Sequence, residues 1–199
     1  MLAQSHRQGY VQRTGPVTES ADQLGARLRK AVQEGDLQRC RALVLAGADL
    51  AASDEDGWTA LHIAAVKEHS AITRLLLESG SPVGARGGKG SWTALHLAAR
   101  KGNAETAKAL LEAGAEVNGR IDKGWTALHL AAWYNQLGAV TSVLMQHGAD
   151  VNAVTDKGKT ALELARQKKH TAIEVQLMAL DAGVRSGWVE SKVKGDGDG

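Results

Sequence analysis

The sequence predicts a repeat solenoid, and three observations carry the prediction. One short phrase returns four times: Gly57-Trp58-Thr59-Ala60-Leu61-His62, Ser91-Trp92-Thr93-Ala94-Leu95-His96, Gly124-Trp125-Thr126-Ala127-Leu128-His129 and Gly158-Lys159-Thr160-Ala161-Leu162-Glu163. Its threonines lie 34, 33 and 34 residues apart. Each of the first three phrases leads into an Ala-rich turn, a short polar break and an apolar run closed by glycine, as in Leu97-Ala98-Ala99, Lys101-Gly102-Asn103 and Ala107 to Gly114. A period near 33 marks stacked units that bury a core only against one another.

These motifs resemble the ankyrin repeat, whose pattern is Thr-Pro-Leu-His-x-Ala and a second helix ending in Gly-Ala. The resemblance covers roughly residues 22 to 183. It implies an all-α repeat solenoid, an ankyrin-repeat array of helix-turn-helix units with β-hairpin or turn fingers. An N-terminal capping unit is expected over about 22–49, then repeats over about 50–82, 83–116, 117–150 and 151–183.

In the cap, Leu28, Ala31, Val32, Gly35, Leu43, Val44 and Gly47-Ala48-Asp49 fit two helices with no finger phrase before them. Nothing stacks beyond a terminal unit, so it needs a polar outer face, which Arg27, Arg29, Lys30, Gln33 and Glu34 can supply. In the repeats, Thr59, Thr93, Thr126 and Thr160 stand where each first helix begins, and a Thr hydroxyl accepts a hydrogen bond from an orphan N–H of the first turn. Thr160 with Glu163 is a capping box. In the other three copies His takes that place, and the resemblance implies that it ties the Thr to a neighbouring finger. The family has Pro after the Thr; Ala stands there in all four copies, giving up a pre-set dihedral but keeping an excellent helix former.

The Ala pairs let the helices approach closely. Leu61, Leu95, Leu128 and Leu162 then stack from unit to unit, as do Leu75-Leu76-Leu77, Leu110-Leu111 and Val143-Leu144 in the second helices. Gly47, Gly80, Gly114 and Gly148 suit the left-handed turn that ends a helix. The last repeat is read as the C-terminal cap: Glu163 replaces the His, Arg166 replaces the second Ala, and Ile173, Leu177, Met178 and Leu180 form its second helix. Two insertions break the register. Ser91 is extra in the Gly87–Gly90 finger, which has lost the usual Asp, and one residue of Tyr134–Gly138 is extra between helices. Insertions in such arrays fall on loops, often on the binding side.

The 199 residues are 43% hydrophobic, enough for a sizeable elongated core, with no Phe and only two Pro. A net charge of +2 gives no ground for a nucleic-acid or membrane partner. The one cysteine, Cys40, aligns with Ala107 and is expected to be buried; without a disulfide framework an intracellular chain is expected. No apolar run reaches the roughly 18 residues of a membrane span. Residues 1–21 and 184–199 are expected to be flexible segments. Residues 1–19 lack the apolar stretch of a signal peptide; Arg7 and Arg13, ahead of the first acid at Glu19, make organelle targeting a weak alternative. Trp188 and Val189 offer a small docking motif, against which stands a frayed end.

The resemblance implies a protein-binding module, an adaptor, scaffold or inhibitor, that uses a concave face made by finger tips and first helices. Register places Val66, Arg100, Trp133 and Arg166 in one row of that face and Lys67, Lys101, Tyr134 and Gln167 in the next. Trp133 and Tyr134 are the foremost expected contacts, because exposed aromatics are enriched among interface hot spots; the alternative is that Trp133 packs on an adjacent repeat. Arg100, Lys101, Arg86, Lys89, Lys123 and Arg166 join them as expected contacts. Trp58, Trp92 and Trp125 line up at the finger bases, either as a packing device between fingers or as a recognition ladder. Asp54, Glu55 and Asp56 make the first finger acidic while the second repeat is basic, which either orients a partner with an acidic segment or is ordinary solvated surface. Asn118 and Asn152 resemble sites that an asparaginyl hydroxylase modifies in ankyrin proteins, or else stabilise their turns.

No catalytic residue, metal or cofactor is expected. His62, His96 and His129 lie one repeat apart, too far to share a zinc, and His6, His69, His147 and His170 show no ligand spacing. Gly84–Ser91 lacks the Gly-Lys-Ser/Thr ending of a phosphate loop. Two other functions remain: a structural or substrate-targeting subunit of a larger enzyme assembly, and an acidic-ligand or nucleic-acid binder using the basic middle repeats, which predicts strong salt dependence.

Overall fold

The computed structural model describes residues 19–179 except residue 136. Arg7, Arg13, Leu180, Trp188 and Val189 lie outside the described residues, as do the two expected flexible segments apart from residues 19–21. Here the boundary is corrected: Ser20 caps the first helix. Its hydroxyl accepts from the Gln23 N–H at 3.2 Å while the Ser20 N–H donates to Gln23 Oε1 at 2.9 Å, satisfying two orphan donors reciprocally.

The helices are α1 Ala21–Glu34, α2 Leu37–Leu45, α3 Ala60–Val66, α4 Ser70–Glu78, α5 Ala94–Lys101, α6 Ala104–Glu112, α7 Ala127–Tyr134, α8 Ala139–Gln146, α9 Ala161–Lys168 and, in its described part, α10 over 171–179. The odd-numbered helices form one layer in which α1, α3, α5, α7 and α9 pack in succession; α2, α4, α6 and α8 form the second layer. Each inner helix thus packs on the inner helix of the neighbouring unit, the pattern of a solenoid.

The paired alanines make this close stacking possible. Ala64, Ala65, Ala98, Ala99, Ala131 and Ala132 are fully buried between inner helices. Leu61, Leu95 and Leu128 are about as buried, whereas Leu162, in the last inner helix among the described residues, is only half-buried. The outer layer is stitched by Leu76, Leu110 and Leu144, all with no exposure. Cys40 is likewise buried, and burial together with nearby Asp36 pushes its thiol up to about 11. The second helices of the cap and the three middle repeats end on Gly47, Gly80, Gly114 and Gly148 with φ of 85°, 86°, 89° and 82°, a conformation that L side chains resist.

The fingers are turns rather than ladders. Single antiparallel bridges, Ser53 to Thr59, Gly87 to Trp92 and Val154 to Thr160, close three of them, and a short 3-10 turn, Asp122–Gly124, shapes the remaining one. Successive fingers share backbone hydrogen bonds: Gly88 N–H to the Asp56 carbonyl at 2.7 Å, Asp122 N–H to Gly90 at 3.2 Å, and Asp156 N–H to Lys123 at 3.0 Å. The fingers thus form a third connected row beside the inner helices.

Candidate functional site

The site begins with the threonine at the head of each inner helix. His62, His96 and His129 turn Nδ1 back to accept from the N–H of Thr59, Thr93 and Thr126 at 3.2, 3.4 and 3.2 Å. Nε2–H is then the donor, and it reaches the following finger: the Trp92 carbonyl at 3.0 Å from His62, the Gly119 carbonyl at 2.9 Å from His96, and the Ala153 and Lys159 carbonyls at 3.0 and 3.1 Å from His129. The ring therefore joins its own helix cap to the next repeat, as the resemblance implies. Burial pulls all three imidazoles below their ordinary pKa, His96 to about 4, which keeps each neutral with one nitrogen accepting and one donating. In the last repeat Glu163 takes over only the capping half, accepting from Thr160 N–H at 3.0 Å.

On this frame the indoles stand half-buried. Trp58, Trp92 and Trp125 each meet the ring of their own repeat's His, with centroids 5.3, 6.5 and 6.2 Å apart. Trp58 also lies under the second finger, where only glycine fits. A Cβ on Gly88 would sit 2.5 Å from Trp58 Cζ2, and Gly88 has φ of 67°. Gly88→Val is therefore expected to cost about 1–3 kcal/mol through strain and displacement of the indole, read as a fall in the urea midpoint with the second finger loosened in hydrogen exchange.

Between fingers and inner helices lie two clefts in series. The first, about 490 Å³, is lined by Trp58, Ile63, Val66 and Leu97, with Lys67 and Arg100 at its edge. The second, about 350 Å³, lies between Trp92 and Trp125, with Ile121, Leu130, Lys123 and Tyr134. Arg100 marks the divide: its Cζ stands 5.7 Å from the Trp92 ring centroid and 5.2 Å from that of Tyr134. Tyr134 is 50% exposed. Trp133 is half-buried, edge-on to Trp125 with centroids 6.0 Å apart, and Lys168 Nζ lies 4.0 Å from its centroid. Trp133 thus packs within the array while keeping part of its surface open.

The other expected contact residues separate. Lys89, Lys101 and Lys123 are exposed. Arg86 ties fingers together, its Nη1 donating to the Arg120 carbonyl at 3.1 Å and to the Ser91 carbonyl at 3.3 Å; Arg120 repeats this to Val154 in the next finger. Arg166 is corrected. It lies six residues beyond Thr160, the position of Ala65, Ala99 and Ala132, so it does not share the row of Arg100 and Trp133. Its side chain turns to the second helix and pairs with Glu174 at 2.9 Å. Gln167 holds the Arg100 position by this register, and Lys168 that of Tyr134. Asn118 bridges to the next repeat, donating to the Gly148 carbonyl at 3.2 Å and accepting from Asp150 N–H at 2.8 Å.

Sequence reasoning passed over two ties between inner helices. Asn135 Nδ2 donates to the Ala99 carbonyl at 2.7 Å, and His170 Nδ1 to the Ala132 carbonyl at 3.0 Å. Their signal was position, the polar residue just after an inner helix. Among the described residues no group of three His, Cys, Asp or Glu could hold a metal, and no helix is long and apolar enough to cross a membrane.

Comparison with known proteins agrees with this geometry. Residues 28–121 match a family model described as ankyrin repeats in three copies, and residues 110–165 one described as ankyrin repeats in many copies. Among curated proteins, the chain is 43% identical over 56 residues to protein phosphatase 1 regulatory subunit 27 of Mus musculus, covering 28% of this chain and 36% of that one. It is 42% identical over 50 residues to the Notch-regulated ankyrin repeat-containing proteins of Homo sapiens and Xenopus tropicalis, covering 25% of this chain and 44% of each. The chain spans less than half the length of these relatives. Stacked helix pairs, the threonine–histidine caps and the family matches together make this chain a member of the ankyrin-repeat family.

Proposed function

We propose that the array is a non-catalytic, intracellular protein-binding module, an adaptor, scaffold or inhibitor that docks a partner into the groove between fingers and inner helices. The observation that carries this reading is the pair of clefts floored by Ile63, Val66 and Leu97 and by Leu130, and walled by indoles. Apolar surface of this kind, open to solvent and rimmed by cations, matches the core-and-rim anatomy of interfaces. Trp133, Tyr134, Arg100, Lys101, Lys89 and Lys123 are the proposed contacts, with Trp58, Trp92 and Trp125 supplying the walls. The cations favour a partner with an acidic segment.

The test is affinity capture from native lysate with wild type and a Trp133→Ala/Tyr134→Ala pair, both first shown to be folded. The expected result is loss of a defined set of proteins, with affinity reduced at least about thirtyfold, the scale of a hot spot. Identical captured sets would move the binding surface elsewhere. A second reading follows from the relative named as a phosphatase regulatory subunit: a fixed subunit that targets an enzyme. Co-purification at constant stoichiometry, resistant to dilution, would select it over transient docking.

A further inference from the structure

We infer that Arg100 reads one acidic side chain of an extended peptide that lays bulky apolar side chains into the clefts on either side. This rests on the groove-docking reading and adds to it what the groove selects.

The Arg100 guanidinium is held but unused. Trp92, from the finger base of its own repeat, and Tyr134, from the next inner helix, lie on it at 5.7 and 5.2 Å. Yet among the described residues Arg100 takes part in no ion pair and no hydrogen bond. Arg86, Arg120 and Arg166 differ, since carbonyls or Glu174 already occupy them. Stacking restrains a side chain that otherwise loses much rotamer freedom on binding, and leaves the N–H edge, a planar fork that matches a carboxylate, free to donate. Arg100 is exposed, so an incoming carboxylate can reach that edge.

Cations outnumber acids around the clefts. Lys67 edges the first cleft, Lys123 the second, and Lys101 follows Arg100 in sequence. Asp54 also borders the first cleft, but its Oδ1 already accepts from the N–H of Asp56 and Trp58 at 3.1 and 2.8 Å. Asp122 stands on the finger side of the second. The chain geometry allows it too. Side chains of an extended peptide share a face at every second residue, about 6.6 Å apart. Apolar side chains at i and i+4 can therefore enter the two clefts while an acid at i+2 faces Arg100 between them.

The experiment is selection of a random displayed peptide library on the full chain and on Arg100→Gln, followed by affinities of the selected peptide and of its amide counterpart, Asn for Asp or Gln for Glu. Wild type is expected to enrich an acid flanked by bulky apolar residues. The amide swap should weaken binding about ten- to a hundredfold on wild type and little on Arg100→Gln. Arg100→Lys, keeping charge without the fork, should recover only part of the preference. Matching thermal melts show that the variants fold, and the amide swap on wild type needs no variant. Overturning results are an enriched set without an acid, no enriched set, an equal amide penalty on Arg100→Gln, or tighter binding of a phosphoserine counterpart, which would make this a phosphopeptide site. If these appear while the Trp133→Ala/Tyr134→Ala pair still loses its captured partner, groove docking stands and the role of Arg100 falls.

Discussion

Leu95→Ala is expected to destabilise the array by about 3–5 kcal/mol, and Leu162→Ala by about 1 kcal/mol. The two leucines hold the same place in the repeat phrase, so chemistry and local backbone are matched. Their neighbours differ. Leu95 is 1% exposed, in α5 between α3 and α7. Leu162 is half-buried in α9, with α7 on one side and, among the described residues, no inner helix on the other. Truncating Leu95 leaves a void between α5 and its two neighbouring inner helices, which are closely packed through fully buried alanines such as Ala64, Ala98 and Ala131. The stability of a solenoid is close to a sum of unit and nearest-neighbour terms, so a central defect also weakens coupling between the two halves. Urea unfolding would show this as a lower midpoint and a broadened or split transition for Leu95→Ala alone. Equal penalties for the two variants would mean that the repeats do not bury these residues by stacking.

This contrast explains what could be read from the residues. Leu61, Leu95 and Leu128 announce themselves because each interior repeat solves one packing problem, and the same answer recurs every 33 or 34 residues. The histidine link is legible for the same reason. Where the array ends, periodicity stops informing. Arg166 stands one position out of the register that places it with Arg100 and Trp133, because the repeat phrase weakens in the last unit; its side chain pairs with Glu174. Ser20 escaped because a helix cap carries no apolar signal. The groove was legible as a location but not in detail. Nothing in the spacing says that Arg100 lies between Trp92 and Tyr134, because that depends on rotamers chosen across two repeats. Nor does it say that Arg86 is taken up by carbonyls of the fingers. Unique side-chain contacts between units are what a repeat pattern averages away.

Acid is expected to destabilise the array well before its carboxylates titrate. His62, His96 and His129 are neutral connectors: Nδ1 accepts from a threonine N–H and Nε2–H donates to the next finger. A second proton would set two donors face to face at each cap, in a buried place. Burial accordingly lowers all three pKa values from 6.5, that of His96 to about 4. The unfolded chain therefore takes up protons first as pH falls, so stability is full above about pH 7, declines from 6.5 downward, and the His96 contribution levels off below about 4. For His96 alone the loss reaches about 3 kcal/mol at that point, at about 1.4 kcal/mol per pKa unit, and about two thirds of it has occurred by pH 5. Against a domain stability of about 5–15 kcal/mol, the His96 loss alone is large enough to lower the urea midpoint clearly between pH 7 and 5, and His62 and His129 add to it in the same direction. Replacing all three with glutamine keeps a capping-box residue after each threonine but removes the titration. That variant should start less stable, having lost the links to the next finger, and show a nearly flat midpoint over the same range. A flat profile in wild type would mean that the rings leave the caps when protonated at little cost, so that the fingers are held by backbone bonds and the Trp58–glycine contact instead.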